Sequence, residues 1–186
     1  MTTTSRPAAP ATLAVRAGIG CDPAYGAVVP DVVALAKGLA GGLPIGAIVA
    51  PAEIAFATGD HASTFGGGPV PCAAAIAVIE TIQEDQLLAN AVEQGERLRS
   101  KLRSLADGSS LVNDVRGRGL LIGAQLARPV AHELVLSLLA EGVLATEAGP
   151  DVVRLSPPLI VGPEDLDAAV GALASVLESL GAGATA

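Results

Sequence analysis

The hydrophobic pattern of this chain changes period at Cys72, and that change rules out both an all-helical and an all-strand fold. Before it, apolar residues come in short runs cut by glycine and proline. Asp31-Val32-Val33-Ala34-Leu35-Ala36 ends at Lys37, Gly38-Leu39-Ala40-Gly41-Gly42-Leu43-Pro44 follows, and Ile45-Gly46-Ala47-Ile48-Val49-Ala50 closes at Pro51. Runs of this length with β-branched residues between turn formers fit buried strands, so strand, loop, strand is expected. From Cys72 to Leu105 the spacing is helical. Ala75, Val78, Ile79 and Ile82 share one face, and Leu87, Leu88, Ala91, Leu98, Leu102 and Leu105 continue it. This is one long helix or two abutting ones.

The remainder alternates. After Asp107-Gly108-Ser109-Ser110, the run from Leu111 to Leu126 reads as two strands turning near Gly117. Pro129 to Ala140 is expected to be helical with Gly142 as its stop, Val152 to Leu155 a short strand, and Pro163 to Leu180 an amphipathic helix. Glu164 and Asp165 complement the positive end of that last helix. Residues 1–12 are polar and Pro/Ala-rich, as in a disordered leader. The terminal Gly181-Ala182-Gly183-Ala184-Thr185-Ala186 matches the letters of a dinucleotide fingerprint but follows a helix rather than a strand, so it carries no such function.

Composition narrows the function classes. The 186 residues are 51% hydrophobic, enough for a core, but 2% aromatic with a net charge of −8. Such a chain lacks both the basic stripe and the stacking platforms of a nucleic-acid binder. The mean hydropathy of +0.55 raises the membrane question. The longest uncharged stretch, His61 to Ile79, holds Gly66, Gly67, Gly68, Pro69 and Pro71, which a spanning helix would not tolerate. The apolar run Ala11 to Val15 is too short for a secretory segment, so a cytoplasmic location is expected. Cys21 and Cys72 have no metal-ligand spacing around them, and Cys72 is expected in the core.

Three features could carry chemistry. Lys37 and Lys101 are the lysines of the chain; Lys101 lies among Arg97, Arg99 and Arg103 on a solvated face. Lys37 stands after an apolar strand and faces glycines, where an amine can be desolvated and made nucleophilic for Schiff-base chemistry. The plainer alternative is a lysine snorkelling at a strand end. In His61-Ala62-Ser63-Thr64-Phe65-Gly66-Gly67-Gly68-Pro69, adjacent hydroxyls precede a triple glycine and a helix. That makes either a phosphate nest or a simple capping turn. Arg154 sits in an apolar strand before Pro157-Pro158, where its charge needs a structural carboxylate or a ligand carboxylate.

Taken in order, Pro30 to Ala47 around Lys37, Ser63-Thr64-Phe65-Gly66-Gly67, Val115-Arg116-Gly117-Arg118-Gly119-Leu120-Leu121-Ile122-Gly123 and Arg154-Leu155-Ser156-Pro157-Pro158 closely resemble the class III pyridoxal-phosphate aminotransferases. Within that class the chain is most similar to the acetylornithine aminotransferases. The resemblance implies an α/β fold, the C-terminal part of a fold-type I aminotransferase. Residues 13–106 would be the end of the large parallel-sheet domain with a long connecting helix, 107–181 the small α+β domain, and 182–186 a tail. It also implies that Lys37 binds the cofactor pyridoxal 5′-phosphate covalently and shuttles a proton. Thr64 would reach the cofactor phosphate of a neighbouring subunit, Ser63 the substrate, and Arg154 a carboxylate of glutamate or 2-oxoglutarate. The implied assembly is a homodimer acting on small-molecule substrates.

The departures from the family pattern concern the other end. Aligning Gly18-Ile19-Gly20 with the family motif places Leu13 where an aspartate would meet the pyridine nitrogen and Arg16 where a glutamine is usual. Cys21-Asp22-Pro23 replaces Arg-Thr-Gly, and Gly68 replaces an asparagine. The expectation is therefore a C-terminal half with little or no turnover alone, complemented by an N-terminal half. The alternatives are an inactive remnant with a structural or interaction role, or the same chemistry on ornithine, succinylornithine or 4-aminobutyrate.

Overall fold

A computed structural model describes residues 31–54 and 56–182. The expected leader, the alignment around Leu13, Arg16 and Gly18-Ile19-Gly20, the Cys21-Asp22-Pro23 substitution and residues 183–186 lie outside the described residues. Contacts divide the chain into two compact units, Met1–Leu88 and Ala89–Ala186. The expected boundary followed residue 106; the helix before it instead joins the second unit, to whose core it gives Ala91, Leu98 and Leu102.

In the first unit, β1 (Val33–Leu35) and β2 (Ala47–Val49) pair antiparallel, with Val33 opposite Val49 and Leu35 opposite Ala47. The strand, loop, strand order is as expected, but the burial is not. Val33 is buried, whereas all three residues of β2 are exposed. A ribbon of two three-residue strands is too small to cover both its faces. A 3-10 turn over Lys37–Ala40 joins the strands and packs Ala40 inward, with Gly41 (φ +60°) close to Val78. Helix α1 (Pro69–Glu84) starts on Pro69, buries Ala75 and Ile82, and stops where Gln86 turns left-handed at φ +56°. That break makes two helices rather than one. Cys72, expected in the core, is half-buried, because it sits in the first turns of α1 ahead of the buried face.

The second unit begins with most of α2 (Leu87–Gly108). Strands β3 (Val112–Arg118) and β4 (Leu121–Leu126), helix α3 (Ala131–Ala140), strands β5 (Thr146–Glu147) and β6 (Val152–Leu155) and helix α4 (Pro163–Ala182) follow. The strands form one antiparallel sheet in the order β3-β4-β6-β5. Strict alternation along β4 and β6 sends Ile122, Ala124, Leu126 and Val153 to one side. There they join Leu98 and Leu102 of α2, Leu134 and Leu138 of α3, and Leu173 and Leu177 of α4 in a single core.

The β3–β4 turn falls at Gly119-Leu120, not near Gly117 as expected. Gly117 (φ +138°) is a strand residue paired with Ile122, and a Cβ there would lie 2.1 Å from the Leu121 carbonyl oxygen. The glycine marks a close backbone approach within the ladder. Helix α3 starts two residues after Pro129, on Val130 as N-cap, and Gly142 (φ +82°) ends it as expected. Strand β5 carries no signal in the sequence pattern, since two residues show no alternation.

Two polar links join α2 to the region of α4. Asn90 Nδ2 donates to the carbonyls of Leu159 and Val161 at 2.8 and 3.1 Å. Arg97 grips Asp167 through Nε (3.2 Å) and Nη2 (2.7 Å), and Lys101 Nζ lies 3.1 Å from the same carboxylate. Hydrogen bonds from Arg97 and then Lys101 hold the Asp167 carboxyl below the usual carboxylate range. Among the described residues, no helix is long and apolar enough to cross a membrane.

Candidate active site

Lys37 follows β1 at a point where the backbone turns left-handed, φ +56°, a conformation that a side chain rarely adopts. Among the described residues only Gln86 shares it outside glycine. Such strain gathers where the surroundings hold a residue for a task. The expected desolvation is not seen: Lys37 is exposed, and no ion pair holds its amine among the described residues. The cause is the same glycine setting that suggested a ligand. Around a Cβ placed at Gly38 or Gly42 there is nothing within 4 Å, and space open to a flat ligand is equally open to water.

Ser63 and Thr64 open the turn ahead of α1. Ser63 Oγ accepts a hydrogen bond from the Gly66 amide at 2.9 Å, closing a local turn. Neither hydroxyl caps the helix, whose N-cap is Gly68 without any side-chain bond. The expected nest is also narrower than the sequence suggested. Pro69 and Pro71 have no N–H, so Val70 alone of the first three helical residues offers a donor. Beside this turn lies a cleft of about 310 Å³. Pro44, Ile45 and Gly46 form one wall, and Ser63, Phe65 and the triple glycine form another; Lys37 and Thr64 do not line it.

Arg154 belongs to the second unit. It lies on β6 next to Val153, which is 1% exposed, so alternation turns Arg154 to the solvent face of the sheet. Its Nε donates to Thr146 Oγ1 at 3.0 Å, and among the described residues no carboxylate pairs with it. The burial cost expected for its charge does not arise, because the guanidinium is in water. The structural carboxylate considered as one partner is absent among the described residues. Thr146, which sequence reasoning passed over, is its partner; a two-residue strand could reveal it only through the register. Lys37, Ser63 and Thr64 thus share the first unit, and Arg154 stands in the second.

Residues 15–177 match the family described as Aminotransferase class-III. The acetylornithine aminotransferase of Caldanaerobacter subterraneus is 45% identical over 157 residues, which are 84% of this chain and 40% of that protein. The acetylornithine aminotransferase of Gloeobacter violaceus is 47% identical over 153 residues, 81% of this chain and 38% of the relative. The chain therefore spans about 40% of the length of these curated relatives. The crystal structure of acetylornithine aminotransferase from Elizabethkingia anophelis overlays with a TM-score of 0.80 at 32% identity, covering 89% of this chain and 43% of that one. Plasmodium falciparum ornithine delta-aminotransferase overlays at 0.82 with 28% identity, covering 91% and 45%. The likeness supports the expected α/β, fold-type I class. With its family motifs matched over most of the chain and its fold shared with solved members, the chain belongs to the class III aminotransferases, which depend on pyridoxal phosphate.

Proposed function

We propose that this chain carries the lysine-bearing part of a transaminase that moves an amino group between N-acetylornithine and 2-oxoglutarate, a step of arginine biosynthesis in the cytoplasm. One observation carries the reading: among the described residues the Lys37 amine is unpaired, and it is accessible on a strained, left-handed backbone between a strand and a glycine turn. The residues present fit the cofactor. A primary amine in open, glycine-lined surroundings suits an aldehyde, and the Ser63-Thr64 turn offers neutral hydroxyls to an anion. Bound pyridoxal phosphate supplies an electrophilic carbonyl and an electron-withdrawing ring.

In this reading Lys37 would hold the cofactor through Nζ, and the same atom would serve as the base that takes up and returns a proton. The Thr64 hydroxyl would hold the cofactor phosphate of a second copy of the chain. Ser63 borders the cleft and contacts substrate. The Arg154 guanidinium binds a substrate carboxylate. Likeness to an ornithine aminotransferase keeps ornithine as the alternative donor. A second reading, an inert piece that associates through its surface, is favoured by the exposure of Phe65 (91%) and Val70 (69%).

Borohydride reduction of the purified chain with pyridoxal phosphate, followed by peptide mass spectrometry, separates the two readings. Lys101, tied to Asp167, is the internal control. Selective labelling of Lys37 at low cofactor is expected. Equal labelling of both lysines, or of neither, would leave the inert reading standing.

A further inference from the structure

We propose that Thr146 is a positioning residue, whose hydroxyl holds the Arg154 guanidinium so that a substrate carboxylate is taken end-on by the two Nη groups. The inference rests on the role given to Arg154 above and adds the device that aims it. Strand β5 pairs with β6 so that Thr146 lies directly opposite Arg154. Side chains opposite one another across a ladder project from the same face, which brings the hydroxyl to the guanidinium. Thr146 Oγ1 accepts from Nε at 3.0 Å.

A guanidinium offers a carboxylate two bidentate edges, Nε with one Nη, or the two Nη together. Thr146 occupies Nε and leaves the second edge. The other cross-strand neighbour of Arg154 is Gly123. Gly123 presents no side chain of its own toward Arg154, and a Cβ placed there would have Val152 Cγ1 at 3.4 Å as its neighbour. The charge also stays available. A hydroxyl orients the cation without neutralising it, whereas a carboxylate in the same place would compete with the ligand.

Arg116 shows the contrast on the same face. It pairs with Gly123 from the opposite side, so the two arginines flank one glycine. Arg116 Nη2 donates to Gln125 Oε1 at 2.9 Å, and its Nη1 lies 3.5 Å from Asp114 Oδ2. Gln125 is held in turn by Asp151 Oδ2 at 2.6 Å. Arg116 is thus engaged by an amide and a carboxylate, while among the described residues Arg154 is engaged only by a neutral acceptor. Fixing a long, flexible side chain beforehand also lowers the entropy lost when a carboxylate binds.

The test uses the intact chain, labelled with ¹⁵N, and the Arg154 Nε–Hε signal. In the free protein that signal should exchange slowly with water, be lost to exchange in Thr146→Val and persist in Thr146→Ser. An unchanged signal in Thr146→Val overturns the proposal whatever binds. Titration with 2-oxoglutarate alone should then show about three- to tenfold weaker binding for Thr146→Val, the effect of losing one hydrogen bond. Thr146→Ser should restore it, and Arg154→Gln should abolish it. If Arg154→Gln binds as the wild type does, or the wild type shows no Arg154 response, the assignment of Arg154 itself falls. If Arg154→Gln abolishes binding and Thr146→Val leaves it intact, only the positioning role falls. Equal melting temperatures of the two Thr146 variants show that neither effect is a damaged fold.

Discussion

Residues 31–88 and 89–182 bury their apolar surface to different depths. In the second region three helices cover one face of a four-stranded sheet, and Ala131, Leu134 and Leu138 are wholly inaccessible to solvent. In the first, a two-stranded ribbon and one helix bury Val33, Ala40, Ala75, Ile82 and Leu87, while Ile48, Ile54, Phe56, Val70 and Ile76 remain more than half exposed. The candidate cofactor lysine and the hydroxyl turn belong to the thinly packed region, and the candidate carboxylate-binding arginine to the well-packed one. Segments with few buried contacts open most readily, so the precision of the Lys37 turn rests on less packing than that of Arg154.

The sharpest break of this comparison is a pair of truncations. Leu138→Ala, in the middle of the second core, should cost about 2–5 kcal/mol by urea unfolding, from lost transfer energy plus the cavity left behind. Ile76→Ala, on the open side of α1 with 57% exposure, should stay within about 0.5 kcal/mol. Similar costs at both positions would mean that the first region is covered in solution.

Glycine substitutions give the next largest contrast. A Cβ at Gly95 would lie 2.1 Å from the Gly119 carbonyl oxygen, backbone that cannot swing aside, so Gly95→Ala should lower stability by about 1–3 kcal/mol despite the better helix former. Gly38→Ala meets nothing and should change the melting curve by less than about 0.5 kcal/mol. The smallest effect concerns the surface clasp. Because the native Asp167 carboxyl titrates below its unfolded value, its contribution is present at neutral pH and is lost as pH falls through the native value. Asp167→Asn should therefore be less stable than wild type near pH 7, and the two should converge only once pH has fallen below the native titration of the carboxyl, which lies under the usual carboxylate range. A gap that persists in acid would assign the effect to packing rather than charge.

Much of the fold was legible because local rules decide it. Helix α4 begins at the proline with two acidic residues behind it, and β6 ends where Ser156-Pro157-Pro158 begins. The Gln86 break between α1 and α2 was open in the sequence, since apolar spacing runs across it. Gly117 misled because a glycine required by close backbone approach looks, in one dimension, like a glycine required by a turn. The site was legible as a list of residues and not as an environment. Lys37 was picked out by its neighbours in sequence, yet its exposure depends on what packs there in space.

By itself the sequence determined the periods, the caps and the order of motifs, and with them the helices, the hairpin and the family. These follow from interactions a few residues long, which composition and spacing record directly. Only the tertiary structure decided that α2 belongs to the second core, that β2 lies open, and that Arg154 meets a threonine rather than a carboxylate. Register and layering join positions with no periodic relation in the chain. Thr146 and Arg154 become neighbours only when β5 and β6 pair.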